Sequence, residues 1–144
     1  PMLLANADGG HVVNTASMAG LSPLPGAAPY SASKYAVVGI SETMREEFRD
    51  TKVGVSVLCP GFVKTNIFTS QRNRPQELRN EVKKTTARAA NADMIKLVNE
   101  TAIDPAEVAA KVLHAVQADE FWIFTHPDLL EPYRQRNREL HGGC

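Results

Sequence analysis

Three side chains early in the chain, Ser17, Tyr30 and Lys34, have the types and spacing for moving a proton at an oxygen atom. Tyr30 and Lys34 stand four apart at what reads as the start of a helix, so their side chains stack on one face, a turn apart. A free tyrosine, with a pKa of about 10, is a poor acid–base at neutral pH. An ammonium within about 4–6 Å favours the phenolate and draws that value toward the working range. The Ser17 hydroxyl could hold a substrate oxygen against the same phenol by hydrogen bonding. Proton transfer to or from a carbonyl or alcohol oxygen is the chemistry that suits the trio. Tyr-x-x-x-Lys alone arises by accident in ~15% of chains of this composition, and a serine at one fixed upstream offset lowers that to ~1%. On the pair alone the favoured reading is a helix start with a solvated lysine and a half-buried tyrosine.

The surroundings change that reading. Val12-Val13-Asn14-Thr15-Ala16-Ser17-Met18-Ala19-Gly20 comes first, then Tyr30-Ser31-Ala32-Ser33-Lys34, then Pro60-Gly61-Phe62-Val63-Lys64-Thr65. In order and spacing these three motifs resemble the short-chain dehydrogenase/reductase family, closely up to about residue 70 and loosely beyond. The resemblance implies that Ser17 positions the substrate oxygen and that Tyr30 is the general acid–base. It implies that Lys34 lowers the tyrosine pKa and binds the nicotinamide ribose. It also implies that Val63 and Thr65, in the turn opened by Pro60 and Gly61, seat the nicotinamide carboxamide of NAD or NADP. The substrate would be a secondary alcohol or ketone.

The positioning elements can be read from the residues. Residues 1–8 look like the tail of a helix, closed by Asp8-Gly9-Gly10. His11 to Ala16 reads as a strand with little alternation, as expected where both sheet faces are covered. Ser17 stands at its carboxyl end. Met18 to Ala28 is a loop with Gly20, Pro23, Pro25 and Gly26 as breakers. Pro29 suits a first helical turn, and a helix is expected from there to about Asp50. Its apolar positions are Ala36, Val37, Ile40, Met44 and Phe48, with Glu42, Arg45, Glu46 and Arg49 on the wet side. The small residues Ala32, Ala36 and Gly39 would permit a close neighbour. Two readings stay open: packing on the sheet, or the dimer interface that the family resemblance implies. Val53 to Cys59 is a second β-branched run stopped by Pro60-Gly61. Strand, helix and strand make a parallel crossover, right-handed by rule. Ligands of such sheets sit outside the carboxyl ends of the strands, so Ser17 and the Pro60-to-Thr65 turn should face one crevice.

Residues 64–104 are the least legible. Ile67 and Phe68 could close over a substrate. Arg72 to Arg88 carries six basic and two acidic residues, readable as an anion-recognising lid but more readily as a solvated helical face. Asp104-Pro105-Ala106-Glu107 is a helix start with an acidic cap. Val108, Ala109, Val112, Ala115 and Val116 form its buried stripe. Phe121 to Phe124 is a short aromatic strand, read as core. Asp128 to Leu140 is a final helix disturbed by Pro132, with Arg134, Arg136 and Arg138 on its surface and a frayed His-Gly-Gly-Cys end.

Composition bounds the function classes. With 144 residues, 43% hydrophobic and 22% charged, the chain has enough apolar surface for a core. Net charge is zero, with no basic tail, so nothing points to nucleic acid or a membrane surface. No apolar run approaches the roughly 18 residues of a span, and the start lacks the basic leader of a signal peptide. Cys59 and Cys144 lie far apart, the four histidines do not cluster, and no metal site is expected. A reducing cytoplasm is the expected setting, with Cys59 a small buried hydrophobe. No Gly-x-Ser-x-Gly elbow surrounds Ser17, so it is not read as an acyl-transfer nucleophile.

A dinucleotide also needs a glycine-rich turn to cradle its pyrophosphate. The nine glycines form no such pattern. The resemblance is therefore to the carboxyl-terminal half of a Rossmann-like enzyme. The expected fold class is α/β, a partial doubly wound parallel sheet of about three strands with flanking helices. Residues 1–144 are read as one partial domain without its dinucleotide-binding half, and Asn14, inside a strand, is not read as a catalytic asparagine. The family resemblance implies a homo-oligomer, a dimer or tetramer. The competing expectation is a non-catalytic fragment that acts only through subunit association.

Overall fold

The computed structural model describes residues 2–78, 98 and 100–142, and for residues 68–71 the backbone alone. The chain divides into two compact units, residues 1–61 with 106–144, and residues 62–105. In the first unit, α1 (Met2–Ala5) leads through a turn at Gly9 into β1 (Gly10–Thr15). A short 3-10 turn (Met18–Gly20) precedes α2 (Ala28–Glu47), which leads to β2 (Val53–Cys59). Helix α3 (Pro105–Gln117), β3 (Trp122–Phe124), a 3-10 turn (Pro127–Leu130) and α4 (Glu131–Gly142) complete it. The sheet is parallel in the order β1-β2-β3, with Gly10 opposite Val53, Thr15 opposite Leu58, and Val57 opposite Trp122.

The alternation of β2 explains why both faces are covered. Val55, Val57 and Cys59 point to one face, where they pack with Ala16, Met18, Leu21, Val38 and Phe121. Val37 and Met44 of α2, Phe48 at its cap and Tyr133 of α4 join that core. Leu58 points to the other face and packs with Ile123 and with Ala115, Val108 and Val112 of α3. Helices on both faces of a parallel sheet make the doubly wound α/β arrangement expected from the near-continuous apolar strands.

The helices differ from expectation in instructive places. Ile40 is 58% exposed, and Ala32, Ala36 and Gly39 are exposed with it. Val38 and Ser41 are buried in their place. The inward arc of α2 is therefore rotated from the stripe drawn through Ala36 and Ile40. Arg45 is exposed as expected, and its guanidinium also lies 4.7 Å from the centroid of the Phe121 ring. Ala109 of α3 is exposed, outside the buried stripe assigned to it. Pro132 is the second residue of α4 and starts the helix rather than disturbing it, because no N–H is required there. His141 and Gly142 continue that helix, while Cys144 lies outside the described residues. Arg138 hydrogen-bonds Glu131 at 2.7 Å and holds that carboxyl below the usual range, with Arg134 adding to the effect. Arg136 instead stands 5.5 Å from the Tyr35 ring centroid.

In the second unit, Asn66–Asn73 and Gln76–Leu78 are 3-10 turns. Val63 bridges Ile103 in parallel fashion, with Lys64 N–H donating to the Ile103 carbonyl at 3.0 Å. Ile67 is 55% exposed; the Phe68 side chain and most of the basic segment through Arg88 lie outside the described residues.

Candidate active site

The site is built where β1 ends and α2 begins. Ser17 has extended backbone (φ −173°) and caps the 3-10 turn Met18–Gly20, its Oγ accepting from Ala19 N–H at 3.2 Å. One lone pair is thereby used, and the hydroxyl proton is left to donate outward. The Met18 N–H donates to the Pro60 carbonyl at 3.0 Å, which ties this turn to the end of β2. Ser17 and Pro60 therefore meet at the carboxyl edge of the sheet.

Pro29 lies in the first turn of α2, and the helix then raises Tyr30 and Lys34 on one side. The Lys34 ammonium lies 5.8 Å from the centroid of the Tyr30 ring and donates to the Thr15 carbonyl at 3.1 Å. Tyr30 is 38% exposed, so its phenol can be reached from solvent. Helix and turn approach closely because of Gly20: a Cβ there would lie 2.7 Å from the Lys34 carbonyl oxygen. Cys59 is fully buried beneath the site. Burial pushes its thiol up to about 11, against the opposing pull of the Ser17 backbone hydrogen bond and the Lys34 charge.

The turn after β2 divides between the units. Pro60 and Gly61 belong to the first. Gly61 N–H donates to Thr125 Oγ1 at 3.0 Å, and the His126 ring stands 2.7 Å from where a Cβ would project. Val63 and Thr65 belong to the second unit, where Thr65 is exposed. Asn14 reaches from β1 to α2, donating to Ser41 Oγ at 3.0 Å, so it ties strand to helix. Sequence reasoning missed Ser31 and Tyr35. The Ser31 Oγ accepts from Leu24 N–H at 3.1 Å, and the Tyr35 hydroxyl donates to the Leu21 carbonyl at 2.7 Å. Their i, i+4 spacing, one residue on from Tyr30 and Lys34, was the available signal.

A cavity of about 600 Å³ opens at the opposite, amino-terminal end of the sheet, where His11, Arg45, Lys52 and Asp119 are among its lining. It is remote from the carboxyl ends of the strands. Among the described residues no group of three or more His, Cys, Asp or Glu could hold a metal ion, and no helix is long and apolar enough to cross a membrane.

The short chain dehydrogenase family profile matches residues 1–76. The chain belongs to the short-chain dehydrogenase family. It is 30% identical over 135 residues to a CLA biosynthesis dehydrogenase/reductase of Lactiplantibacillus plantarum, covering 89% of this chain and 46% of that protein. A crystal structure of a short-chain dehydrogenase/reductase from Burkholderia phymatum in complex with NAD is 38% identical, with a TM-score of 0.81, over 92% of this chain and 48% of the other. An actinorhodin polyketide ketoreductase variant with NADPH is 28% identical, with a TM-score of 0.59, over 80% and 45%. The chain thus spans about half the length of the short-chain dehydrogenases it matches.

Proposed function

We propose that the protein carrying these residues is an NAD(P)-dependent oxidoreductase acting on a secondary alcohol or ketone. The observation that carries this reading is the Lys34 ammonium 5.8 Å from the Tyr30 ring centroid, at the sheet edge where Ser17 stands. In the oxidative direction Ser17 O–H donates to the substrate oxygen and Tyr30 takes the hydroxyl proton as the carbonyl forms. The Lys34 ammonium stands over the ring of the tyrosine that accepts it. Bound nicotinamide would take the hydrogen of the carbinol carbon with its electron pair. In reduction Tyr30 gives the proton back to oxygen.

The residues present fit one end of a dinucleotide. Lys34 spends one of its three N–H donors on Thr15 and keeps two for ribose hydroxyls. Pro60, Gly61, Val63 and Thr65 are proposed to seat the carboxamide. No glycine-rich turn in this sequence fits the pyrophosphate. We therefore read residues 1–144 as the catalytic half of a larger domain whose other half binds the adenosine end. The half-length match to the relatives supports this, as does the outer edge of β1, which is unpaired among the described residues. NAD and NADP remain equal candidates, since relatives are known with each. A buried free thiol at Cys59 suits a cytoplasmic setting. The exposed face of α2 around Ile40 suits a homo-oligomer. A purely associative, non-catalytic role is not favoured by relatives described as dehydrogenases and reductases.

The test is Tyr30→Phe in the complete protein. Turnover of a secondary alcohol should fall by ~10²-fold or more, with the circular dichroism spectrum unchanged. Turnover comparable to the parent would refute the acid–base role.

A further inference from the structure

We infer that Ser31 and Tyr35 are positioning residues that set Ser17 in register with Tyr30. The inference rests on the catalytic reading above and adds to it. Helix α2 carries two i, i+4 pairs, Tyr30 with Lys34 and Ser31 with Tyr35, offset by about 100° around the axis. The first pair faces the sheet edge. The second grips the loop that joins Ser17 to Tyr30.

Within that loop the Gly20 N–H donates to the Ser17 carbonyl and the Ser22 N–H to the Met18 carbonyl, and beyond Ser22 only Ala27 N–H to the Leu24 carbonyl, at 3.1 Å, adds a backbone tie. Gly20, Pro23, Pro25 and Gly26 interrupt the loop, and its one regular element is the turn Met18–Gly20. Ser17 caps the amino end of this turn through Ala19 N–H. Leu21 closes the other end, its N–H donating to the Met18 carbonyl at 3.0 Å. The Leu21 carbonyl is the acceptor that the Tyr35 hydroxyl holds at 2.7 Å. Three residues on, the Leu24 N–H is held by Ser31, itself only 5% exposed. One short turn therefore has the candidate substrate-binding hydroxyl at one end and a tie to the acid–base helix at the other. Arg136 of α4 stands over the Tyr35 ring, 5.5 Å from its centroid. A hydroxyl that must meet a substrate oxygen at hydrogen-bond distance loses rate steeply when displaced, and this clamp opposes that displacement.

The variant is Tyr35→Phe in the complete protein, which removes one oxygen and keeps the ring. Turnover should fall about tenfold while NADH or NADPH affinity, read by cofactor fluorescence, stays within twofold. In a Ser17→Ala background, adding Tyr35→Phe should cost nothing further, because the group it positions is gone. Amide hydrogens of residues 19–21 should exchange about tenfold faster in Tyr35→Phe, and Ser31→Ala should do the same at Leu24. Ser31→Thr, which keeps the acceptor, should restore slow exchange at Leu24. Unchanged exchange overturns the clamp. Faster exchange with turnover within twofold of the parent, or a tenfold loss that persists in the Ser17→Ala background, overturns its link to Ser17. If Ser17→Ala alone turns over like the parent, the catalytic reading of Ser17 falls, and with it this inference about its register; the exchange rates then still report whether the loop is tied.

Discussion

Cys59 shows how one buried atom can sit next to a candidate site without joining it. Its thiol lies under Ser17 and near Lys34, both of which favour the thiolate, yet burial outweighs them and pushes the group up to about 11. A thiol held neutral is a poor nucleophile. In a Cys144→Ser background, native protein at pH 8 should therefore leave Cys59 unlabelled by a thiol reagent, and denaturant should make it react at once. Prompt labelling of the native protein would contradict its burial. The same shift has a sign in stability. The folded value lies above the ordinary 9.0, so the contribution is intact below about pH 9 and is lost as pH rises toward 11. Cys59→Ala should flatten that alkaline limb of an unfolding-midpoint profile.

Elements set the precision of the site, and the crossing of the Met18–Gly20 turn over α2 is the tightest point. Gly20→Ala would press a methyl group to 2.7 Å from a helix carbonyl oxygen, a backbone atom that cannot rotate away. A destabilisation of ~1–3 kcal/mol is expected, measured by urea unfolding, together with reduced turnover because Ser17 sits on the same turn. A neutral outcome in both would mean the turn can lift without cost. Sequence legibility follows this division. β2 was readable to the residue because seven consecutive positions are constrained by two covered faces. The Tyr30/Lys34 pair was readable because helical spacing alone brings i and i+4 together. Tyr35 shares that spacing with Ser31, but the spacing does not show its partner, a loop carbonyl, because composition does not report where a carbonyl points. Ile40 misled for a related reason: its hydrophobicity fits a buried stripe, while the inward arc is set by Val38 and Ser41 packing on the sheet side.

At the scale of the whole molecule, the residues that fail to be covered become informative. Ile40 is 58% exposed on a helix whose neighbouring Ala36 and Gly39 offer no steric barrier, and a Cβ on Gly39 would meet nothing within 4 Å. Ile40→Glu should lower the association state of the complete protein in light scattering while leaving its helix content unchanged. An unchanged mass would place any subunit contact elsewhere. The sheet carries another consequence, in time rather than space. Its middle strand, β2, joins β1 across the α2 crossover, but completes its other edge only with β3, which comes after the second unit and α3 in the chain. Parallel pairing between distant segments forms slowly. During synthesis β1, α2 and β2 therefore leave the ribosome well before their third strand exists, and one rim of the middle strand waits bare until β3 follows.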